Sequence, residues 1–188
     1  MIKFIYYIKT LFLEAIALGG IEKMIRVLFI CHGNICRSPM AEFVFKDMVK
    51  QKGLEKEFDI ASAATSTEEI GNSVHSGTRN KLNEYGISVA GKTAVQLKRQ
   101  DYKNYDYLIA MDQRNITNMH RILGQDGEKK IYRLLDFTTH PRDIADPWYT
   151  GDFDLTYKEV YEGCEQLLAF LLASKKQKQD EVGGIKGE

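Results

Sequence analysis

The chain has 188 residues, enough for one domain with a sizeable core. Hydrophobic residues make up 44% and charged residues 28%, and 26 basic side chains balance 26 acidic ones. That balance excludes the overall positive field of a nucleic-acid binder, so any anion site must be local. Three cysteines, Cys31, Cys36 and Cys164, are too few for a secreted disulfide scaffold, which points to reduced thiols and a cytoplasmic protein.

Residues 1–23, MIKFIYYIKTLFLEAIALGGIEK, are apolar and aromatic, but Lys9 and Glu14 interrupt them. The run falls short of the ~20 apolar residues of a membrane span. It has no A-x-A cleavage signal. It reads as an extra helix or as translation upstream of a natural start at Met24; membrane contact through an amphipathic helix is the alternative. MIRVLFIC (24–31) is a continuous apolar run, expected to be a strand buried on both faces. Residues 38–53 read as a helix with Pro39 in its first turn, an apolar side of Met40, Phe43, Val44, Met48 and Val49, and Gly53 as its stop. A second strand is expected over 57–65, a helix over 76–86, a third strand within 105–112, a helix over 113–123 and a fourth strand over 129–135. In the last helix Tyr157, Val160, Tyr161, Cys164, Leu167, Leu168 and Leu171 recur at helical spacing, and Thr156 followed by Glu159 matches a capping box. From Ser174 the chain is polar and contains glycines, and residues 174–188 are expected to be disordered. Alternating strands and helices specify an α/β fold, a parallel sheet with helices on both faces, in a single domain over residues 24–173. No repeat or linker divides it.

The chemistry concentrates in FICHGNICRSPMAE, residues 29–42. In an open parallel sheet, ligands sit beyond the carboxyl ends of the strands. The loop from Cys31 to Ser38 leaves the first strand there and enters a helix. Its backbone N–H groups can converge on one point, and the helix N-terminus adds partial positive charge. The guanidinium of Arg37 matches two phosphate oxygens. Gly33 permits a turn that a side chain would oppose, and Asn34 tolerates left-handed backbone. The same field stabilises an ionised Cys31 sulfur, a nucleophile beneath a ring of donors for equatorial oxygens. Ser38 can donate its hydroxyl to that sulfur. Cys36 either fills space or forms a reversible disulfide that shields Cys31 from over-oxidation. His32 reads as a side chain near the mouth of the site.

Displacement of an alcohol or phenol needs a proton for the leaving oxygen. IADPWYTGDF (144–153) supplies one: Asp146 precedes Pro147, which stiffens the loop, and Trp148 and Tyr149 can form a wall for a flat substrate. A carboxyl group shielded by that wall stays protonated long enough to act. Asp112 is the second-choice acid, better suited to bracing the loop. A metal centre is not expected. Cys31, His32 and Cys36 lack knuckle spacing, and Cys164, His75, His120 and His140 lie in separate segments. A phosphate- or phosphopeptide-binding module would keep Arg37 and the loop but would have no use for Asp146.

LFICHGNICRSPMAE, SAAT, YDYLIAMD and DPWYTGDF, in this order between Met24 and Ala173, resemble the low-molecular-weight protein tyrosine phosphatases. The resemblance implies a four-stranded parallel sheet of order 2-1-3-4 in a three-layer domain. It implies a cysteinyl-phosphate intermediate and no metal or organic cofactor. Cys31 is then the nucleophile, Arg37 the phosphate clamp and Asp146 the general acid and base. Residues His32, Gly33, Asn34, Ile35, Cys36, Arg37 and Ser38 would surround the phosphate, with Asn34, Ser38 and Ser62 holding the loop in shape and Trp148 and Tyr149 at the rim. The implied substrates are phosphotyrosine proteins or small aryl phosphates, with no nucleic-acid partner; no oligomeric state is specified. Ile35 matches the tyrosine-directed branch; the related protein-arginine phosphatases typically carry Thr there. Arsenate reduction is a further reading on the same fold, but it requires additional accessible cysteines. Glu68 and Glu69 fall in a variable loop where some members place an aromatic. Gly91 falls where animal members tend to carry a histidine in the loop-bracing network, so that support must differ here.

Overall fold

Strand β1, Ile25–Cys31, shows why a continuous apolar run belongs in the middle of a sheet. Side chains alternate across a strand, and here both faces are covered. Val27, Phe29 and Cys31 face one core cluster, while Leu28 and Ile30 face another. The computed structural model describes residues 24–184, with side chains described through residue 177. The readings of residues 1–23 and 185–188 therefore lie outside the described residues.

After β1 come helix α1 (Arg37–Gln51), β2 (Phe58–Ala64), α2 (Ser76–Asn83) and a short helix α3 (Asp101–Asn104). They are followed by β3 (Tyr107–Ala110), α4 (Gln113–Leu123), β4 (Ile131–Arg133), the single turn α5 (Pro147–Thr150) and the long α6 (Phe153–Gly184). The strands form one sheet of order β2-β1-β3-β4, parallel throughout, as expected. On one face α1 and α6 pack Met40, Val44, Phe45, Val160, Cys164 and Leu167 over β1 and β3. On the other, Met119 and Leu123 of α4 cover Leu28, Ile30, Leu108 and Ala110. Phe45 meets Phe29 and Phe58 edge-on, at 5.6 and 5.8 Å between centroids. Gly163 lets α6 press on the turn Leu134–Phe137, since a Cβ there would lie 2.5 Å from Leu134 Cγ.

Because β1 is flanked by β2 on one side and β3 on the other, the chain changes direction at its carboxyl end. That is where a doubly wound sheet opens a crevice for a ligand. Cys31 is the last residue of β1.

Three local expectations are corrected. Helix α6 begins at Phe153, not at a Thr156 cap. Asp152 comes first in the chain and takes the Leu155 N–H at 2.8 Å, so Thr156 is already helical and donates its hydroxyl to the Asp152 carbonyl. Glu159 instead meets Arg142 at 3.0 Å. β4 is shorter than 129–135 because the Asp136 carboxylate accepts the Arg133 N–H at 2.8 Å and tightens the chain into a 3-10 turn. The polar stretch after Ser174 continues α6 to Gly184 instead of becoming disordered at once. Its Lys and Gln residues are good helix formers, and extending an established helix is far cheaper than nucleating one. Lys175 also meets Glu57 at 2.5 Å. Among the described residues no helix is long and apolar enough to cross a membrane.

Candidate active site

Between Cys31 and Arg37 the chain wraps around one point. Asn34 takes the left-handed conformation, φ 58, that its side chain tolerates. Gly33 does not; its role is spatial, because a Cβ there would approach Glu69 Cγ to 3.1 Å. Among the described residues the backbone N–H groups of Gly33, Ile35, Cys36 and Arg37 have no hydrogen-bond partner. Unpaired amides at a helix N-terminus are a ready anion site. The Asn34 N–H reaches Cys31 Sγ at 3.2 Å, and Ser38 Oγ lies 3.0 Å from the same sulfur.

The donor direction at Ser38 follows from its other neighbour. Asn34 Oδ1 accepts the Val95 N–H at 3.1 Å, so Asn34 Nδ2 is the donor to Ser38 Oγ (2.9 Å) and Ser62 Oγ (2.8 Å). The Ser38 proton is then free to point at the sulfur. The Ser62 hydroxyl in turn donates to Glu42 Oε2 at 2.5 Å. Glu42, only 4% exposed, is met by Lys92 Nζ at 3.1 Å and Lys46 Nζ at 2.5 Å. Lys92 also donates to the Ser62 carbonyl. A polar chain thus runs from two ammonium groups to the loop and ends at Cys31. Sequence reasoning found Asn34, Ser38 and Ser62 but missed Glu42, Lys46 and Lys92. The only pointer was Gly91, whose neighbour Lys92 supplies the cation.

Arg37 is 2% exposed. Its Nη1 donates to Asp112 Oδ2 at 2.6 Å and to the Ile144 carbonyl at 3.0 Å, and Nη2 to Asp146 Oδ2 at 2.5 Å; Nε has no partner among the described residues. Burial works against the guanidinium charge, but Cys31, Asp146 and Asp112 outweigh it and raise its pKa, so Arg37 stays charged. Asp112 braces the loop rather than reaching the mouth: its other oxygen caps α4 by accepting the Asn115 N–H at 2.6 Å.

Asp146 comes from a loop pinned by the Ile144 N–H to the Met111 carbonyl. Its Oδ1 accepts the Trp148 N–H and so caps α5, with Pro147 in the first helical turn. The sequence pictures this carboxyl against an aromatic wall; in the structure it pairs with Arg37, and Trp148 and Tyr149 line the same cleft. Trp148 is 57% and Tyr149 81% exposed. His75 holds Trp148 edge-on at 5.8 Å, stacks on Phe153 at 5.2 Å, and ties its own N–H to the Ile35 carbonyl at 2.9 Å. His75 is a further residue to which sequence reasoning gave no role at the site.

Cys31, His32, Ile35, Cys36, Asp146 and Trp148, with Gly33, Glu68, Glu69 and Tyr149, line a cleft of ≈ 120 Å³. Burial, then Cys31 and Asp146, push the Cys36 thiol up to about 12. His32 Nε2 lies 3.1 Å from Glu68 Oε2 at the mouth. Cys164 is elsewhere, buried with its Sγ directed at the Ala41 carbonyl. Among the described residues no group of three or more His, Cys, Asp or Glu could hold a metal ion.

The chain as a whole has known relatives. Residues 26–180 match the family model described as low molecular weight phosphotyrosine protein phosphatase. The chain is 44% identical to the low molecular weight protein-tyrosine-phosphatase YfkJ of Bacillus subtilis over 154 residues, 81% of this chain and 99% of that protein. It is 32% identical to PtpA of Staphylococcus epidermidis, which bears the same family name, over 83% of this chain and 99% of the relative. The crystal structure of YfkJ superposes with a TM-score of 0.80, covering 83% of this chain and 99% of that one. That of SP-PTP from Streptococcus pyogenes, 40% identical, gives 0.71 over 79% and 93%. Sequence and fold therefore agree with the chemistry of the loop, and the chain belongs to the low molecular weight phosphotyrosine protein phosphatase family.

Proposed function

We propose that the protein hydrolyses phosphotyrosine and related aryl phosphates through a cysteinyl-phosphate, with Cys31 as nucleophile, Arg37 as clamp and Asp146 as acid and base. One observation carries this reading: Cys31 Sγ lies under a ring of amides and beside a buried guanidinium Nε that have no partner among the described residues. A phosphoryl dianion satisfies all of these donors at once. Sγ attacks phosphorus and the bond to the phenolic oxygen breaks, while Asp146 gives its proton to that oxygen. Water then attacks phosphorus, Asp146 takes one of its protons, the S–P bond breaks and inorganic phosphate leaves. The Ser38 hydroxyl, 3.0 Å from the sulfur, supports the departing thiolate. The incoming phosphate takes over the guanidinium edge that now contacts Asp146 and leaves the carboxyl free for the leaving oxygen.

Ile35 lines the cleft with an apolar side chain, which suits a phenyl ring better than a phosphoguanidine. The arsenate reading needs a further accessible thiol, and Cys164 is buried between α6 and α1. We place the phosphatase domain at residues 24–173 and the protein in the cytoplasm. The test is steady-state kinetics on a phosphotyrosine peptide and p-nitrophenyl phosphate. Cys31→Ser is expected to remove turnover of both. Asp146→Asn is expected to lower kcat on the peptide by about a hundredfold or more, and less on p-nitrophenyl phosphate, whose leaving group hardly needs the proton. Turnover by Cys31→Ser at the parent rate would reject the reading.

A further inference from the structure

The cleft that would receive a phosphate dianion is lined by two carboxylates that the chemistry does not use. Glu68 and Glu69 line it together with Trp148 and Tyr149. The Glu68 side chain is exposed, but the backbone that carries both residues is not loose. The turn that carries them is fastened to the loop around Cys31: the Thr65 N–H donates to the Cys31 carbonyl and the Ser66 N–H to the His32 carbonyl, both at 2.9 Å. The Glu68 N–H in turn binds Ser66 Oγ. Glu69 lies against Gly33, where a Cβ would approach its Cγ to 3.1 Å, and its Oε2 accepts from Asn72 Nδ2 at 2.7 Å. The space that glycine leaves over the loop is thus filled by a carboxylate-bearing side chain.

Held so close, the two negative charges oppose any anion that enters, the substrate's own phosphate included. Arg37 and the amides offset that at the phosphate itself, but they do nothing for charges a residue away. Among the described residues no lysine or arginine lines the cleft. The histidine that lines it, His32, has its Nε2 3.1 Å from Glu68 Oε2. An acidic residue beside the phosphotyrosine would meet unrelieved repulsion. A basic one would neutralise the rim.

Resting on the phosphatase reading above, we infer that Glu68 and Glu69 select phosphotyrosine flanked by lysine or arginine and reject phosphotyrosine in acidic sequence. The ring lies along Trp148 and Tyr149, the phosphate seats on Arg37, and the adjacent cationic side chain meets Glu68 and Glu69.

The experiment is a comparison of kcat/KM for two phosphotyrosine peptides that differ only in carrying Lys or Glu on both sides of the phosphotyrosine, with p-nitrophenyl phosphate alongside. At low ionic strength the Lys peptide is expected to be preferred about tenfold. The ratio shrinks as added salt shortens the Debye length. In Glu68→Gln/Glu69→Gln it falls to about twofold or less, and Glu68→Lys reverses it. Equal kcat/KM for the two peptides with the unaltered enzyme, or a preference that survives in the double variant, overturns the inference and leaves the phosphatase reading standing. No turnover of either peptide or of p-nitrophenyl phosphate overturns the phosphatase reading and this inference with it.

Discussion

Cys31 and Cys36 lie on the same loop, yet their surroundings are opposed. Cys31 Sγ receives the Asn34 amide and faces the Ser38 hydroxyl. Cys36 is buried beside Ile35, Ala94 and Phe153, and desolvation leads the causes that push its thiol up to about 12. At pH 7 Cys36 therefore keeps its proton, and the thiolate is the reactive form. Iodoacetate at neutral pH is therefore expected to carboxymethylate Cys31 and leave Cys36 and Cys164 intact, as read by peptide mass spectrometry. Phosphate in the buffer should protect Cys31. Labelling of Cys36 at a comparable rate would contradict its buried, protonated state. Much of this was legible in the sequence, because C-x5-R-S with its Asn and Gly packs the sulfur, clamp and supporting hydroxyl into one short run. Asp146 was legible too, from its proline and aromatic neighbours. Glu42 and Lys92 were not. An ion pair between the middle of a helix and a distant loop leaves no local pattern, and both residue types ordinarily read as solvated surface.

That pair matters because it joins elements. Helix α1 carries Glu42, β2 carries Ser62, and the segment before α3 carries Lys92 and Val95; all four converge on Asn34 directly or through one another. Glu42 is nearly inaccessible, and Lys92 and Lys46 are the cations that meet its carboxylate. Removing one partner of a buried ion pair costs more than the pair itself contributes. Lys92→Met is expected to destabilise the fold by about 3 kcal/mol, a fall in Tm of about 6–12 °C for a chain of this size. It should also lower kcat as the loop around Cys31 loosens. Adding Glu42→Gln should recover part of the lost stability, because the uncompensated charge goes with it. Thermal melts and kinetics of the two single variants and the double variant check this, and a Tm for Lys92→Met within a degree of the parent would contradict it. The elements themselves were readable where both faces of a strand are covered, as in β1 and β3, since the apolar run is then unbroken. They were misread at their ends. There Asp152 outcompetes Thr156 as a cap, and Asp136 turns β4 early; both depend on which of several good hydrogen-bonding side chains comes first.

Across the whole molecule the shifted acidic thiols and phenols move the same way for the same leading reason. Desolvation raises Cys36, Cys164, Tyr105, Tyr107 and Tyr157, whose neutral forms the core accepts and whose anions it does not. The consequence for stability has one sign. Below the unfolded pKa values, 9.0 for a thiol and 10.0 for a phenol, both states keep the proton and nothing is lost. Above them the unfolded chain releases protons that the folded one retains. The unfolded state then binds fewer protons, and stability declines as pH rises toward the folded values. The raised pKa of Lys81, held by Asp154 and Glu84, adds in the same direction, because its ion pairs are lost as it deprotonates. Tm is therefore expected to stay level from neutrality to about pH 8.5 and to drop steeply between about pH 9 and 11. Cys164 isolates the effect. It sits fully buried where α6 meets α1, it is far from the cleft in sequence and contact, and burial alone raises it. Cys164→Ala should melt lower than the parent at pH 7, by about 1 kcal/mol of lost packing, yet fall less steeply with pH above 9, so that the two melting curves converge. Calorimetry over that pH range decides it: parallel curves would mean that the buried thiol contributes nothing to the alkaline collapse, and a Tm that holds to pH 11 would mean that the core accommodates these anions after all.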